Sequence, residues 1–141
     1  MLQAVPFQAA RLLTLTPPAL SKPTGYTHVV EFNGPGKTIY IAGQIALDKD
    51  GGVVGAGNMK AQAEQVFKNL QAALDAAGAK FSDVVKMNTH ITDMDQAPAV
   101  REVRARYFGD TTPASTLVQV VRLARPELLL EIEVVAALPA R

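Results

Sequence analysis

The carboxylates best placed to take part in chemistry are Glu131 and Glu133, two residues apart in an apolar C-terminal stretch. In a β-strand this spacing puts both side chains on the same face. A carboxylate buried there without a partner would be costly, so each must be solvated, paired or engaged with a ligand. For Glu133 we predict a solvated or paired carboxylate. The residue chemistry alone leaves Glu131 open between these alternatives.

Two histidines and one serine are the next candidates for chemistry. His28 and His90 have no nearby acidic cluster, which makes a weak metal site, so we predict that no metal is bound. His90 falls on the polar side of a predicted strand and is expected to be exposed. Ser115 can donate to a ligand or to nearby backbone at the start of a strand, and both interpretations stay open.

Composition narrows the classes of function. Of the 141 residues, 48% are apolar and 19% charged, against about 25% charged in a typical soluble domain. We therefore expect one domain, with part of its apolar surface buried between subunits. The formal charge of +1 offers no electrostatic signature of nucleic-acid binding. The absence of cysteine excludes disulfides, thiolate metal sites and a cysteine nucleophile.

The apolar runs are shorter than the ~20 residues that cross a bilayer, and the N-terminal stretch reads poorly as a signal peptide. We therefore predict a cytoplasmic protein without a membrane partner.

The N-terminal part of the chain predicts a loop followed by two strands. Prolines in 16–25 favour an irregular lead-in segment. The runs 27–32 and 38–44 are rich in β-branched and aromatic residues, and the glycines of 33–37 can close a turn between them. This pattern predicts an antiparallel hairpin.

The middle of the chain predicts a helix, a strand and a second helix. Apolar residues recur at spacings of three and four over 58–77, with Asn58 able to cap the start and Gly78 suited to the end. Alternation over 84–92 predicts a strand, and helical spacing returns over 96–108.

Two strands, 115–123 and 128–138, complete a predicted order of ββαβαββ. The fold class is therefore α+β, a mainly antiparallel sheet with two helices on one face. The other face needs a partner, and self-association is the simplest source.

Short motifs recur along this order. They are Gly25-Tyr26, Ile41-Ala42-Gly43-Gln44-Ile45, Gln62, Ala63, Asn69, Ala76-Ala77-Gly78, Val84-Val85-Lys86, Thr92-Asp93-Met94, Tyr107-Phe108, Pro113-Ala114, Val118, Arg122-Leu123 and Glu131-Ile132-Glu133. In order and spacing they resemble the YjgF/Rid family of reactive-intermediate deaminases, also called endoribonuclease L-PSP-like proteins. We expect an N-terminal extension and loop over 1–25 and a Rid-like domain over 26–141.

The resemblance implies a chorismate-mutase-like fold. It also implies a homotrimer whose sheets form a central barrel, with a small-molecule ligand pocket at each subunit interface. The implied activity is hydrolysis of reactive enamines and imines, formed from amino acids, to a 2-keto acid and ammonia. No cofactor or metal is implied.

The same resemblance assigns roles to individual residues. Glu131 matches the family's pocket glutamate, which can orient a water or share a proton, and so becomes the candidate catalytic residue. Tyr26 matches an aromatic residue at the pocket wall, and Gly43 lies in a matching motif as a substrate-binding candidate. In the active deaminases an arginine follows the Pro-Ala motif and grips the substrate carboxylate. In this chain Ser115 stands there.

Arg101 and Arg122 are the candidates to replace that guanidinium. Arg122 has a family counterpart outside direct contact with the substrate, and for Arg101 we favour a solvated arginine on a helix face.

Two functions follow as hypotheses. The first is a Rid-type hydrolase whose substrate lacks the usual acidic group or holds it differently. The second is a small-molecule-binding or regulatory trimer without turnover. Balanced charge and the lack of a paired-histidine arrangement give ribonuclease activity little support. Chorismate mutase activity is disfavoured because a fold does not carry a function.

Overall fold

The computed structural model describes residues 11–140. Its helices and strands, in chain order, are β1 (Arg11–Leu15), β2 (Val29–Asn33), β3 (Gly36–Gln44), α1 (Met59–Ala76), β4 (Val84–Ile91), α2 (Ala97–Phe108), β5 (Ala114–Gln119) and β6 (Leu130–Pro139). Short 3-10 turns, Phe81–Asp83 and Met94–Gln96, precede β4 and α2. No helix in this part of the chain is long and apolar enough to cross a membrane.

The main sheet has the strand order β3-β6-β4-β5. β6 runs antiparallel to both β3 and β4, whereas β5 lies parallel to β4. The connection between β4 and β5 contains α2, as a parallel pair requires. Both helices pack on one face of this sheet, which confirms the predicted α+β fold class.

The predicted hairpin between 27–32 and 38–44 is wrong. β2 pairs with β1 in a separate two-stranded sheet, and β3 pairs with β6 instead. β1 lies within the predicted extension 1–25, whose first ten residues fall outside the described part of the chain. Because β1 satisfies the hydrogen bonds of β2, the two predicted strands need not pair with each other.

The first helix forms as its apolar spacing predicts. The Asn58 side chain accepts a hydrogen bond from the Ala61 N–H at 3.0 Å, which caps α1. Gly78 follows the helix with φ +74°, a left-handed conformation that suits glycine. Phe67, Leu70 and Leu74 on this helix are fully buried against the sheet and α2.

Alternation along the two central strands separates the faces of the sheet. The residues toward the helices are buried: Met87, Thr89 and Ile91 on β4, and Leu130, Ile132 and Val134 on β6. The residues between them face away from the helices: Lys86, Asn88, His90, Glu131 and Glu133. We call that side the open face. Tyr40 is 81% exposed and Val118 42% exposed on it.

One buried amide connects the first helix to the start of the last strand. Gln62 on α1 is fully buried, and its Nε2 donates to the carbonyls of Gly55 at 3.1 Å and Glu127 at 2.8 Å. Its Oε1 accepts from the Leu129 N–H at 2.8 Å. These bonds fix the backbone that leads directly into β6, and therefore the position of Glu131.

Gln62→Leu should destabilise the protein strongly, because it leaves two carbonyls and one N–H without their partner. At about 1–3 kcal/mol for each unsatisfied buried group, we expect the free energy of unfolding to fall by about 3 kcal/mol or more. Urea denaturation at matched protein concentration measures this. The control Gln71→Leu removes one exposed hydrogen bond, to Asp75, and should cost under about 0.5 kcal/mol. Equal midpoints for the two variants would contradict this role.

Candidate active site

Glu131 lies on the open face beside a glycine that makes room for it. A Cβ atom at Gly43 would lie 2.9 Å from the Cγ and Cδ of Glu131 and 3.0 Å from its Oε1. Gly43 does not adopt a positive φ, so the close approach is what requires a glycine there. The β3–β6 register shifts between Ile41 and Gln44, around this position. The irregular strand and the missing side chain let the Glu131 side chain lie across β3.

His90 is the cross-strand partner of Glu131, on β4. It is half-buried, so the prediction of an exposed histidine is wrong. β4 is an interior strand between β6 and β5, which limits the access of solvent. Its Nδ1 atom is buried and has no hydrogen-bond partner in the described part of the chain. An unpaired buried nitrogen of this kind calls for a water or a ligand atom.

Glu133 differs from Glu131 although both lie on the open face. It is exposed and accepts a hydrogen bond from Asn88 Nδ2 at 2.9 Å. This confirms the predicted paired or solvated carboxylate. Between residues 11 and 140 the ion pairs are Lys60 with Glu102 and Arg106 with Glu64, so Glu131 has no cationic partner there.

Ser115 lies on the other side of the sheet. It is the neighbour of Met87 across the parallel β4–β5 pair, and Met87 is buried toward the helices. The half-buried Ser115 lines a cleft between β5 and α2. The other residues of this cleft are Phe67, Met87, Thr89, Ala97, Val100, Arg101, Arg104, Leu117 and Ile132.

Tyr26 lies in the segment that borders the start of β5. The Thr27 N–H donates to the carbonyl of Pro113 at 3.1 Å, which ties this segment to the strand. The half-buried Tyr26 ring meets His28 edge to face, with centroids 5.2 Å apart. The Gly25 carbonyl accepts a hydrogen bond from Arg104 at 2.9 Å. The backbone on either side of Tyr26 is therefore tied to β5 and α2, but Tyr26 is not among the residues that line the cleft.

The three arginines have different positions. Arg101 is exposed on its helix, as predicted. It also lines the cleft, which the prediction did not include. Arg104 also lines the cleft, and the sequence prediction missed it. Its spacing of three from Arg101 on a helix was the available signal. Arg122 lies beyond the end of β5 and donates to the carbonyls of Leu123 at 3.1 Å and Ala124 at 3.4 Å. The structure does not bring it to Ser115.

Within one chain Ser115 and Glu131 do not share a cavity. Along β4 their cross-strand neighbours are Met87 and His90, an odd number of residues apart, so the two side chains point to opposite faces. The candidate residues thus form two separate groups, which we call half-sites. The Glu131 half-site contains Glu131, Gly43 and His90. The Ser115 half-site contains Ser115, Arg101 and Arg104.

The described residues include no group of three or more histidine, cysteine, aspartate or glutamate side chains that could hold a metal ion.

Sequence comparison identifies relatives along most of the chain. A family model described as Endoribonuclease L-PSP matches residues 16–138. A RutC family protein of Pyrococcus horikoshii is 39% identical over 116 residues, which cover 82% of this chain and 89% of that protein. The human 2-iminobutanoate/2-iminopropanoate deaminase is 37% identical over 100 residues, covering 71% of this chain and 72% of the human protein.

Solved structures agree with the sequence relatives. A Rid family protein of unknown function from Yersinia pestis superposes with a TM-score of 0.80 at 36% identity, covering 90% of this chain and 98% of that one. RidA from an Antarctic Psychrobacter gives a TM-score of 0.67 at 33% identity, covering 89% and 98%. The chain therefore belongs to the endoribonuclease L-PSP family, the family of the YjgF/Rid proteins.

Proposed function

We propose that this protein is a Rid-type hydrolase that converts reactive imines or enamines to a carbonyl compound and ammonia. The observation that carries the proposal is the Glu131 carboxylate, which lies over Gly43 without a cationic partner in the described chain. The unpaired Nδ1 of His90 lies on the strand beside it. Relatives named as iminobutanoate/iminopropanoate deaminases support the reaction class.

A carboxylate in this position can perform the proton transfers of imine hydrolysis. Water adds to the carbon of the C=N bond, and Glu131 accepts one proton from that water. Glu131 returns that proton to the nitrogen, which gives a carbinolamine with a hydroxyl and an amino group on the same carbon. Glu131 then accepts the hydroxyl proton and passes it to the amino nitrogen, so the C–N bond breaks and ammonia leaves as the carbonyl forms. The sum is imine plus water to carbonyl compound plus ammonia, with no change of oxidation state. General acid–base catalysis of this kind contributes typically 10²–10⁴-fold in rate.

We propose that Ser115 stands where the active deaminases have their carboxylate-binding arginine. As a neutral hydroxyl it contributes about 0.5–1.5 kcal/mol through a hydrogen bond, against about 1.5–3 kcal/mol for a charged donor. The substrate is therefore non-standard in how its acidic group is held, or lacks that group.

The proposed assembly is a homotrimer whose interfaces join the two half-sites. A small ligand cannot touch both Ser115 and Glu131 of one chain, because the sheet lies between them. A second copy can place its Ser115 half-site against the Glu131 half-site of the first. The open face, with Tyr40 and Val118 exposed, is the surface left for such packing.

The alternative is a trimer that binds a small molecule without turnover, and the neutral Ser115 favours it. A ligand that raises the melting temperature by mass action and is never consumed would support this alternative.

Glu131→Gln should lower the rate of ammonia release from imines, generated in situ by an amino-acid oxidase, by about 10²–10⁴-fold. The amide keeps the shape of the side chain but cannot accept the proton. Glu133→Gln is the matched control, since Glu133 lies on the same face and pairs with Asn88, and its rate should stay near wild type. Wild-type protein that gives no acceleration over buffer with acidic or neutral imines would refute the hydrolase.

Gly43→Ala should reduce the rate by displacing Glu131, because the new methyl group would lie within 3.0 Å of its carboxylate. The test is a double-mutant cycle in the same ammonia assay. Combining Gly43→Ala with Glu131→Gln should cost little beyond Glu131→Gln alone. Fully additive losses would show that Gly43 does not act through Glu131.

Mixed trimers should test the composite site. Ser115→Asp places a carboxylate beside Arg101 and Arg104. The new negative charge should pair with these arginines and so block the Ser115 half-site. Each of Glu131→Gln and Ser115→Asp should be nearly inactive alone. Co-expressed one to one, they should regain about one quarter of wild-type activity, because about one interface in four then joins two intact half-sites. Recovery near zero would place both halves of the site in one subunit.

A further inference from the structure

Arg101 and Arg104 form a paired guanidinium surface at the Ser115 half-site. Three residues apart on α2, they lie on neighbouring positions of one helical face. Both line the inner cleft that contains Ser115, a cavity of about 40 Å³. Both also line an adjoining outer cavity of about 200 Å³, bordered by Gly25 and Thr112. The two arginines therefore border both cavities, and Ser115 lines the smaller one.

Neither arginine has a carboxylate partner in the described part of the chain. The ion pairs found between residues 11 and 140 involve Lys60 and Arg106 instead. Thus Glu102 and Arg106 of α2 pair with Lys60 and Glu64 of α1, whereas the two arginines that line the cleft have no such partner there. Two adjacent positive charges repel each other, and an anion bound between them would offset that repulsion.

Arg104 is held in place by its surroundings. Its Nη2 donates to the Gly25 carbonyl at 2.9 Å, and its guanidinium carbon lies 5.5 Å from the centroid of the Phe108 ring. Burial lowers the pKa of Arg104, and the positive charge of Arg101 lowers it further. An anion bound between the two would relieve both effects, and a guanidinium already oriented loses less freedom on binding.

We propose that Arg101 and Arg104 bind the carboxylate of the substrate, with the Ser115 hydroxyl as a third donor. The inference rests on the proposed function and makes its substrate class specific: imines of α-amino acids that keep a free carboxylate, rather than neutral imines. The guanidinium that β5 lacks at Ser115 is supplied by α2. The small serine leaves the cleft open for two arginine side chains.

Binding of 2-oxobutanoate and of its neutral amide, 2-oxobutanamide, to the intact oligomer tests this by isothermal titration calorimetry. The acid should bind at least about tenfold more tightly than the amide, since charged hydrogen bonds exceed neutral ones by that margin. Arg101→Met and Arg104→Met should each weaken acid binding by about 10–100-fold and leave amide binding unchanged. Arg106→Met is the matched control, because Arg106 lies on the same helix but pairs with Glu64.

Equal affinity for acid and amide, or arginine variants that bind the acid as wild type does, would overturn the inference. Arg104 packs on Phe108, so the Arg104→Met protein could fail to fold, which a missing melting transition would reveal. In that case the Arg101→Met variant decides the outcome, because Arg101 is exposed. The two proposals fail separately. Arginine-dependent acid binding without imine turnover would refute only the hydrolase, whereas turnover indifferent to both arginines would refute only the carboxylate site.

Discussion

Successive side chains of a β-strand point to opposite faces, and in this protein that alternation places Ser115 and Glu131 on opposite sides of the main sheet. Because α1 and α2 cover one face of the main sheet, a side chain directed toward them packs in the core or lines the cleft beside α2. A side chain directed away lies on the open face. Ser115 belongs to the first kind and Glu131 to the second. The same constraint that builds the core of one chain therefore divides the candidate residues into two groups, and in the proposed trimer a second copy brings the two together.

The position of the Glu131 half-site depends on contacts far from it in the sequence. Gln62 fixes the backbone at Glu127 and Leu129, so the entry into β6 is set by a side chain of α1. On the other side, Gly43 admits the Glu131 side chain because no Cβ occupies the space. The hydrogen-bonded amide of Gln62 makes the start of β6 rigid, and Gly43 leaves space for the Glu131 side chain. Catalytic geometry needs both, since a carboxylate must be held in place and still reach a ligand.

Local patterns in the sequence predicted what local interactions determine. The spacing of apolar residues and the Asn58 cap gave α1 nearly to its ends, and alternation gave the faces of β4. The pairing of β2 with β1 could not be read in this way, because it joins segments separated by the loop 16–25. Arg104 was missed for a similar reason. Its guanidinium is held by the Gly25 carbonyl and the Phe108 ring, and Gly25 comes close to α2 only in the folded chain. The roles of Glu131, Tyr26 and Gly43 came from family resemblance.

An arginine on a strand and an arginine pair on the adjacent helix are alternative ways to charge one cleft. A guanidinium at position 115 would point into the space already lined by Arg101 and Arg104, and three positive charges there would repel one another. In the proposed site the serine and the helix pair therefore belong together, because the neutral serine avoids a third positive charge in the cleft. In the proposed site, the neutral residue on β5 is what allows the positive charge to come from α2. A missing arginine at one position is then compatible with carboxylate recognition by the same cleft.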